Sequence, residues 1–160
     1  MFARLSAPIV ALIFALLLAP YAAAAGPTAL PSGLHQADGR PDLLYVVLFS
    51  LPDCPYCVAV REAYLPALPH DPRFGERVRI REVGIGSNKT LVDFDGEKTS
   101  HADVARRLKV KFAPTVLFLD TDGRPRAEPL LGGDSVGFYG GYLEKRVMQA
   151  LEAIPRARRD

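Results

Sequence analysis

Seven consecutive apolar residues, Leu43-Leu44-Tyr45-Val46-Val47-Leu48-Phe49, constrain this chain more than anything else in it. The run has strand length, is rich in branched and aromatic side chains, and never alternates with polar residues. A strand of that kind needs both faces covered, so it belongs inside a sheet with a layer packed on each side. Half of the 160 residues (49%) are hydrophobic, enough to build such a core without covalent staples.

The remaining punctuation predicts an α/β domain with a mixed sheet. Pro55 suits the first position of a helix, where its missing N–H costs nothing. Cys57, Val60, Tyr64 and Leu68 then recur at helical spacing, and Pro66 is expected to kink or end the helix early. Val78 to Val83 alternates and reads as a strand. Ser87 to Thr99 reads as a polar loop holding a short Leu91-Val92 segment. Ser100 with Asp103 predicts a capped helix ending near Lys109. Val116 to Leu119 is a strand, Asp122-Gly123 a hairpin turn, and Arg126 to Leu131 the returning strand. A last helix is expected from about Val136 to Ile154, with Tyr139, Leu143, Val147, Ala150 and Ile154 on its inner face and Pro155 ending it. Tyr139 and Tyr142 read as helix packing. The order of strands and helices gives one domain over 42–155.

The N-terminus reads as an export signal over 1–25. Arg4 precedes an apolar stretch from Ala7 to Ala19, and Ala22 to Ala25 offers the small residues of a cleavage site. A retained anchor is the rival reading. Pro8 and Pro20 bracket a stretch well short of the roughly 20 residues that span a bilayer. Residues 26–41, rich in Gly, Pro, Ala and Ser, are expected to form a flexible arm. Residues 156–160, with Arg156, Arg158 and Arg159, are expected to be a solvated basic tail. The net charge is +2, and Arg4 is the one charge in the leader, so the rest carries +1. That balance excludes a strongly basic face and argues against nucleic acid as a partner.

The chain has two cysteines, in Cys54-Pro55-Tyr56-Cys57. A bridge across so small a loop staples little, and an exported protein meets disulfides, so these residues read as working parts. A dithiol exchanger needs one sulfur that ionises easily and a second within reach. A helix N-terminus stabilises a thiolate at Cys54 through its free N–H groups. Cys57, one turn later, is expected to be buried and to resolve the mixed disulfide. Pro55 fixes the turn between them, with Tyr56 beside it. Asp53 should oppose the thiolate and raise the Cys54 pKa where it lies close. No metal is expected, since structural zinc needs four ligands and His35, His70 and His101 are scattered. Haem attachment would need histidine where Val58 stands, and no other cofactor is implied.

With Phe112-Ala113-Pro114-Thr115 added, the chain resembles the thioredoxin superfamily over roughly Leu43 to Ile154. Read alone, Pro114 could be an ordinary trans proline opening a strand. The resemblance implies a cis-proline facing the cysteines, with the backbone at Ala113 free to pair with an extended substrate. It is most similar to exported thioredoxin-like proteins of the SoxW type with a C-P-Y-C site. That likeness implies a thioredoxin-like fold and a periplasmic enzyme, a thiol:disulfide oxidoreductase acting through Cys54 and Cys57. The expected partners are protein thiols and disulfides, with a membrane thiol reductant as a further one. A reductase is the expected direction. Two departures stand out. Leu48 occupies the position of the buried acid found in typical thioredoxins, and Asp53 that of their tryptophan.

Two other functions compete. C-P-Y-C is also the motif of dithiol glutaredoxins, and Gly132-Gly133-Asp134 echoes their glutathione-binding turn, with a helix N-terminus expected near Asp134. A redox-inert docking module is the third. No separate dimerisation domain is evident in the sequence, which favours a monomer.

Overall fold

The computed structural model describes residues 30–35, 39–134 and 137–157. In chain order the elements are β1 (Leu44–Ser50), α1 (Pro55–Ala59), β2 (Val78–Gly84), β3 (Thr90–Val92), β4 (Lys98–Ser100), α2 (His101–Arg107), β5 (Thr115–Leu119), β6 (Leu130–Leu131) and α3 (Tyr139–Glu152). The apolar run forms β1, and every residue of it is buried. The main sheet has the order β2-β1-β5-β6. β1 pairs in parallel with β2, from Leu44↔Val78 to Ser50↔Gly84, and antiparallel with β5, from Tyr45↔Leu119 to Phe49↔Thr115. The expected mixed sheet with flanking helices is thus the observed fold.

Alternate residues of β1 feed two separate cores, as a strand covered on both faces must. Leu44, Val46 and Leu48 pack with Val60, Leu65 and Leu68 beyond α1 and with Leu143, Val147 and Ala150 of α3. Tyr45, Val47 and Phe49 pack with Leu91, Phe94 and Val104 under α2 and the β3–β4 hairpin. The inner face expected for the last helix is the buried one: Tyr139, Leu143, Val147, Ala150 and Ile154 are all buried. Tyr142 is exposed instead of packed, because it lies on the flank of the inner face and turns to solvent. α3 starts at Tyr139; Ser135 and Val136, where its start was expected, lie outside the described residues.

Pro66 acts earlier than a simple kink. After one α-helical turn the chain widens into a π turn at Val60–Tyr64 and then tightens into a 3-10 segment at Leu65–His70. Pro66 has no N–H for the carbonyl four residues back, and its ring would collide there. The ladder slips by one, so that Leu65 N–H donates to the Val60 carbonyl.

Three expectations need correction. The Ser87–Thr99 loop contains the β3–β4 hairpin, closed by Asp93 N–H donating to the Glu97 carbonyl at 2.9 Å. The returning strand is only Leu130–Leu131, preceded by a single bridge between Leu119 and Pro125. Pro125 and Pro129 have no N–H to give a ladder, and Asp120 instead accepts from the Arg126 guanidinium and the Asp122 and Arg124 N–H groups. The expected arm is not loose from Leu30 to Leu34. Leu34 is fully buried, its N–H donates to the Val92 carbonyl, and the Pro31 carbonyl accepts from Glu82 N–H. The leader (1–25), the first part of the arm and the arginines at 158 and 159 lie outside the described residues; Arg156 is exposed.

α2 follows its sequence signals closely. Ser100 Oγ accepts from Asp103 N–H at 3.1 Å, and Lys109, at φ 58°, ends the helix in the left-handed region. His101, its first residue, is buried, and its Nδ1 accepts from Gly84 N–H at 3.0 Å. The ring is therefore neutral, with its proton on Nε2. Burial, helped by Lys89, holds its pKa below the ordinary 6.5. The unfolded chain then takes up the proton first as pH falls. Stability present above pH 6.5 should be lost as pH drops below it, toward the folded value. Urea midpoints measured from pH 7.5 down to pH 5 should fall in the parent and fall less in His101→Asn, which keeps an acceptor but cannot titrate. Equal slopes in both would remove His101 from the account.

Candidate active site

The site is assembled where β1 ends. Cys54 is the N-cap of α1, and its Sγ accepts from Cys57 N–H at 3.2 Å. Pro55 is the first helical residue, as its fixed φ favours. Cys54 and Cys57 are joined in a disulfide with Cα atoms 5.2 Å apart. The two sulfurs differ in access: Cys54 is half-buried at the rim, whereas Cys57 is 0% exposed. Asp53 is exposed and turns the chain at φ 54° just before the helix.

The second candidate element lies at the start of β5. The Ala113–Pro114 peptide is cis, as the resemblance implied. The ladder with β1 and the ladder with β6 both end at Thr115, so Ala113 lies just beyond them. Pro114 is buried, and its carbonyl accepts from Gly132 N–H at 2.8 Å. Gly133 then approaches Tyr56 so closely that a Cβ there would meet the tyrosine at 2.9 Å. Tyr56 between the cysteines, Phe112 two residues before Pro114, and Leu131, the register partner of Thr115, are all more than 60% exposed.

The Gly132-Gly133-Asp134 turn is therefore part of the site, but not as a helix start. α3 begins five residues later, and Asp134 accepts from Tyr64 O–H and from Gly137 N–H. That bond holds the Tyr64 phenol above its ordinary pKa. Behind it Tyr139 is buried, its ring 4.9 Å from that of Tyr64, and burial pushes its pKa up as well.

One cluster was not anticipated from the sequence. Glu82 of β2, the register partner of Leu48, accepts from Ser50 Oγ at 2.6 Å and from Arg61 Nε at 2.9 Å, with a second bond from Arg61 Nη2. Burial alone would raise the Glu82 pKa; the Arg61 guanidinium and the Ser50 hydroxyl outweigh it and hold the carboxyl below its usual range. Alternating Arg-x-Arg-Glu in a strand looks like a solvated face, so only the register of β2 against β1 reveals it.

A buried strand leading into C-x-x-C at a helix start, with a cis-proline opening the antiparallel strand beside it, defines a thioredoxin-like fold with a disulfide-capable cysteine pair. The thioredoxin-like domain model matches residues 32–148, and the chain belongs to that family. No curated protein sequence matches. Among solved structures, the reduced form of the periplasmic thioredoxin SoxS from Paracoccus pantotrophus is 20% identical, with 67% of this chain and 98% of that one covered and a TM-score of 0.46. A thioredoxin-fold protein from Helicobacter pylori is 18% identical over 71% of this chain and 83% of its own, with a TM-score of 0.43. The thioredoxin of Malassezia sympodialis is 18% identical over 69% and 79%, again with a TM-score of 0.43. These likenesses concern the fold alone.

Proposed function

We propose that this chain is an exported thiol–disulfide oxidoreductase that exchanges disulfides with partner proteins through Cys54 and Cys57, as a reductase. The observation that carries this reading is the inequality of the two sulfurs: Cys54 reaches the rim and accepts a helix N–H, while Cys57 is buried one turn behind it.

The exchange balances as follows. The Cys54 thiolate attacks one sulfur of a partner disulfide, and the other partner sulfur leaves as a thiolate and takes a proton. The Cys57 thiolate then attacks Cys54 Sγ, and the second partner sulfur leaves. Two electrons pass to the partner, and the Cys54–Cys57 disulfide remains. An extended partner segment would lie against Ala113, beyond the end of the β5 ladders, with Tyr56, Phe112 and Leu131 as apolar contacts. A membrane thiol reductant would return the pair to the dithiol. In this reading residues 1–25 are a cleaved export signal, the protein works in the periplasm as a monomer, and it holds no metal or cofactor.

Reduction of insulin by dithiothreitol in the presence of the purified protein tests the reading. The protein should accelerate precipitation of the freed chains, and a titration against glutathione should place the pair at a strongly negative potential. No acceleration at micromolar protein would overturn the activity; a high potential would overturn the direction.

A further inference from the structure

The geometry points to the Ser50–Glu82–Arg61 cluster as the device that sets the charge beneath the cysteine pair, with Glu82 holding the pair toward the reducing side and Arg61 opposing it. This rests on the functional reading above and assigns positioning residues to that same site.

Three observations converge. First, Glu82 is on the face of the sheet that carries α1. Residues paired in register point the same way, and Glu82 is paired with Leu48, which packs against Val60. Second, both charges are sheltered: the side chains of Arg61 and Glu82 are 15% and 14% exposed. Charges held out of water act over longer distances than solvated ones. Third, the cluster is tied to the chain on both sides of the cysteine pair. Ser50 is the last residue of β1 before the active-site loop, and Arg61 is four residues, one helical turn, beyond Cys57.

Around the carboxylate, α1 and its continuation supply Arg61 and β1 supplies Ser50. The segment before β1 supplies the Leu30 N–H, and α2 supplies the neutral His101 ring with Lys89 beyond it. Leu48, where an acid would lie directly below the helix, is apolar. Glu82 is thus a sheltered carboxylate on this face, paired with Arg61 and tied to Ser50 at the end of β1.

A dithiol becomes a stronger oxidant as its thiolate is stabilised. Deleting the negative charge should therefore stabilise the Cys54 thiolate, and deleting the positive one should destabilise it. In Glu82→Gln the exchange constant with glutathione should move about tenfold toward the dithiol. The pH midpoint of Cys54 alkylation by iodoacetamide should fall. In Arg61→Met both should move the other way. The double variant, which buries no lone charge, should return close to the parent. A cluster that only braces the helix would weaken the site in the same direction in both single variants. Shifts of equal sign, or none, overturn the proposal, and so does a double variant far from the parent. Should one single variant fail to fold, the sign of the other decides. A parent that never exchanges with glutathione would sink the functional reading instead, so the two failures are distinguishable.

Discussion

Replacing Cys54 with serine is expected to abolish disulfide exchange, by on the order of a thousandfold or more, while replacing Cys57 converts the protein into a trap. Both follow from position, because the two residues are chemically identical. Cys54 lies half-buried at the helix N-cap, where Cys57 N–H can stabilise the developing charge. Serine there offers no nucleophile at neutral pH, and Cys57, 0% exposed, cannot meet a partner disulfide in its place. In Cys57→Ser the first attack proceeds normally, but no second sulfur displaces the partner. Mixed disulfides should then accumulate on Cys54, visible as higher bands on a non-reducing gel and identifiable by mass spectrometry. Equal trapping by Cys54→Ser would reverse the roles of attacker and resolver.

Much of this site is legible in the sequence, because its parts are local. An unbroken apolar run, a proline between two cysteines three apart, and Ala-Pro-Thr opening a later strand each carry their geometry in a few neighbouring residues. What stayed hidden depends on register. Glu82 reads as one charge in the alternating string Val78-Arg79-Ile80-Arg81-Glu82-Val83, and only pairing with Leu48 places it under α1. Leu34 sits in a stretch whose Gly and Pro content predicts a loose arm, yet one leucine in a hollow between β2 and the β3–β4 hairpin is enough to pin it. The hairpin itself has strands of three residues, too short for alternation to register. The overlong β6 failed differently. The Asp122-Gly123 turn predicts a full returning strand, but Pro125 and Pro129 remove the donors a ladder needs.

The largest loss of stability is expected from a glycine that sequence gives no reason to single out. Gly75 follows the 3-10 segment that leads away from the site and turns the chain into β2. Its φ lies outside the left-handed region, so the requirement is one of space, not of backbone conformation. A Cβ on Gly75 would stand 2.2 Å from the Pro69 carbonyl oxygen and 2.6 Å from its carbon, where real Cβ atoms do not come closer than 3.0 Å. Backbone, not a flexible side-chain tip, must give way. Gly75 N–H also donates to the Asp71 carbonyl at 2.7 Å, which ties the two sides of the turn together. Parting them would lift Leu68 and Phe74, both buried in the core beneath α1. Gly75→Ala should therefore cost about 3 kcal/mol, the range of overpacking and strain, and lower Tm by on the order of 10 °C. Gly141 is the matched control. It sits in the first turns of α3, where a Cβ would meet nothing within 4 Å, so Gly141→Ala should gain about 1 kcal/mol from helix propensity alone. Denaturant unfolding of the two variants beside the parent decides between space and propensity. A Gly75→Ala protein within about 1 kcal/mol of the parent would mean that the Pro69–Gly75 turn yields easily and does not hold Leu68 and Phe74 in place.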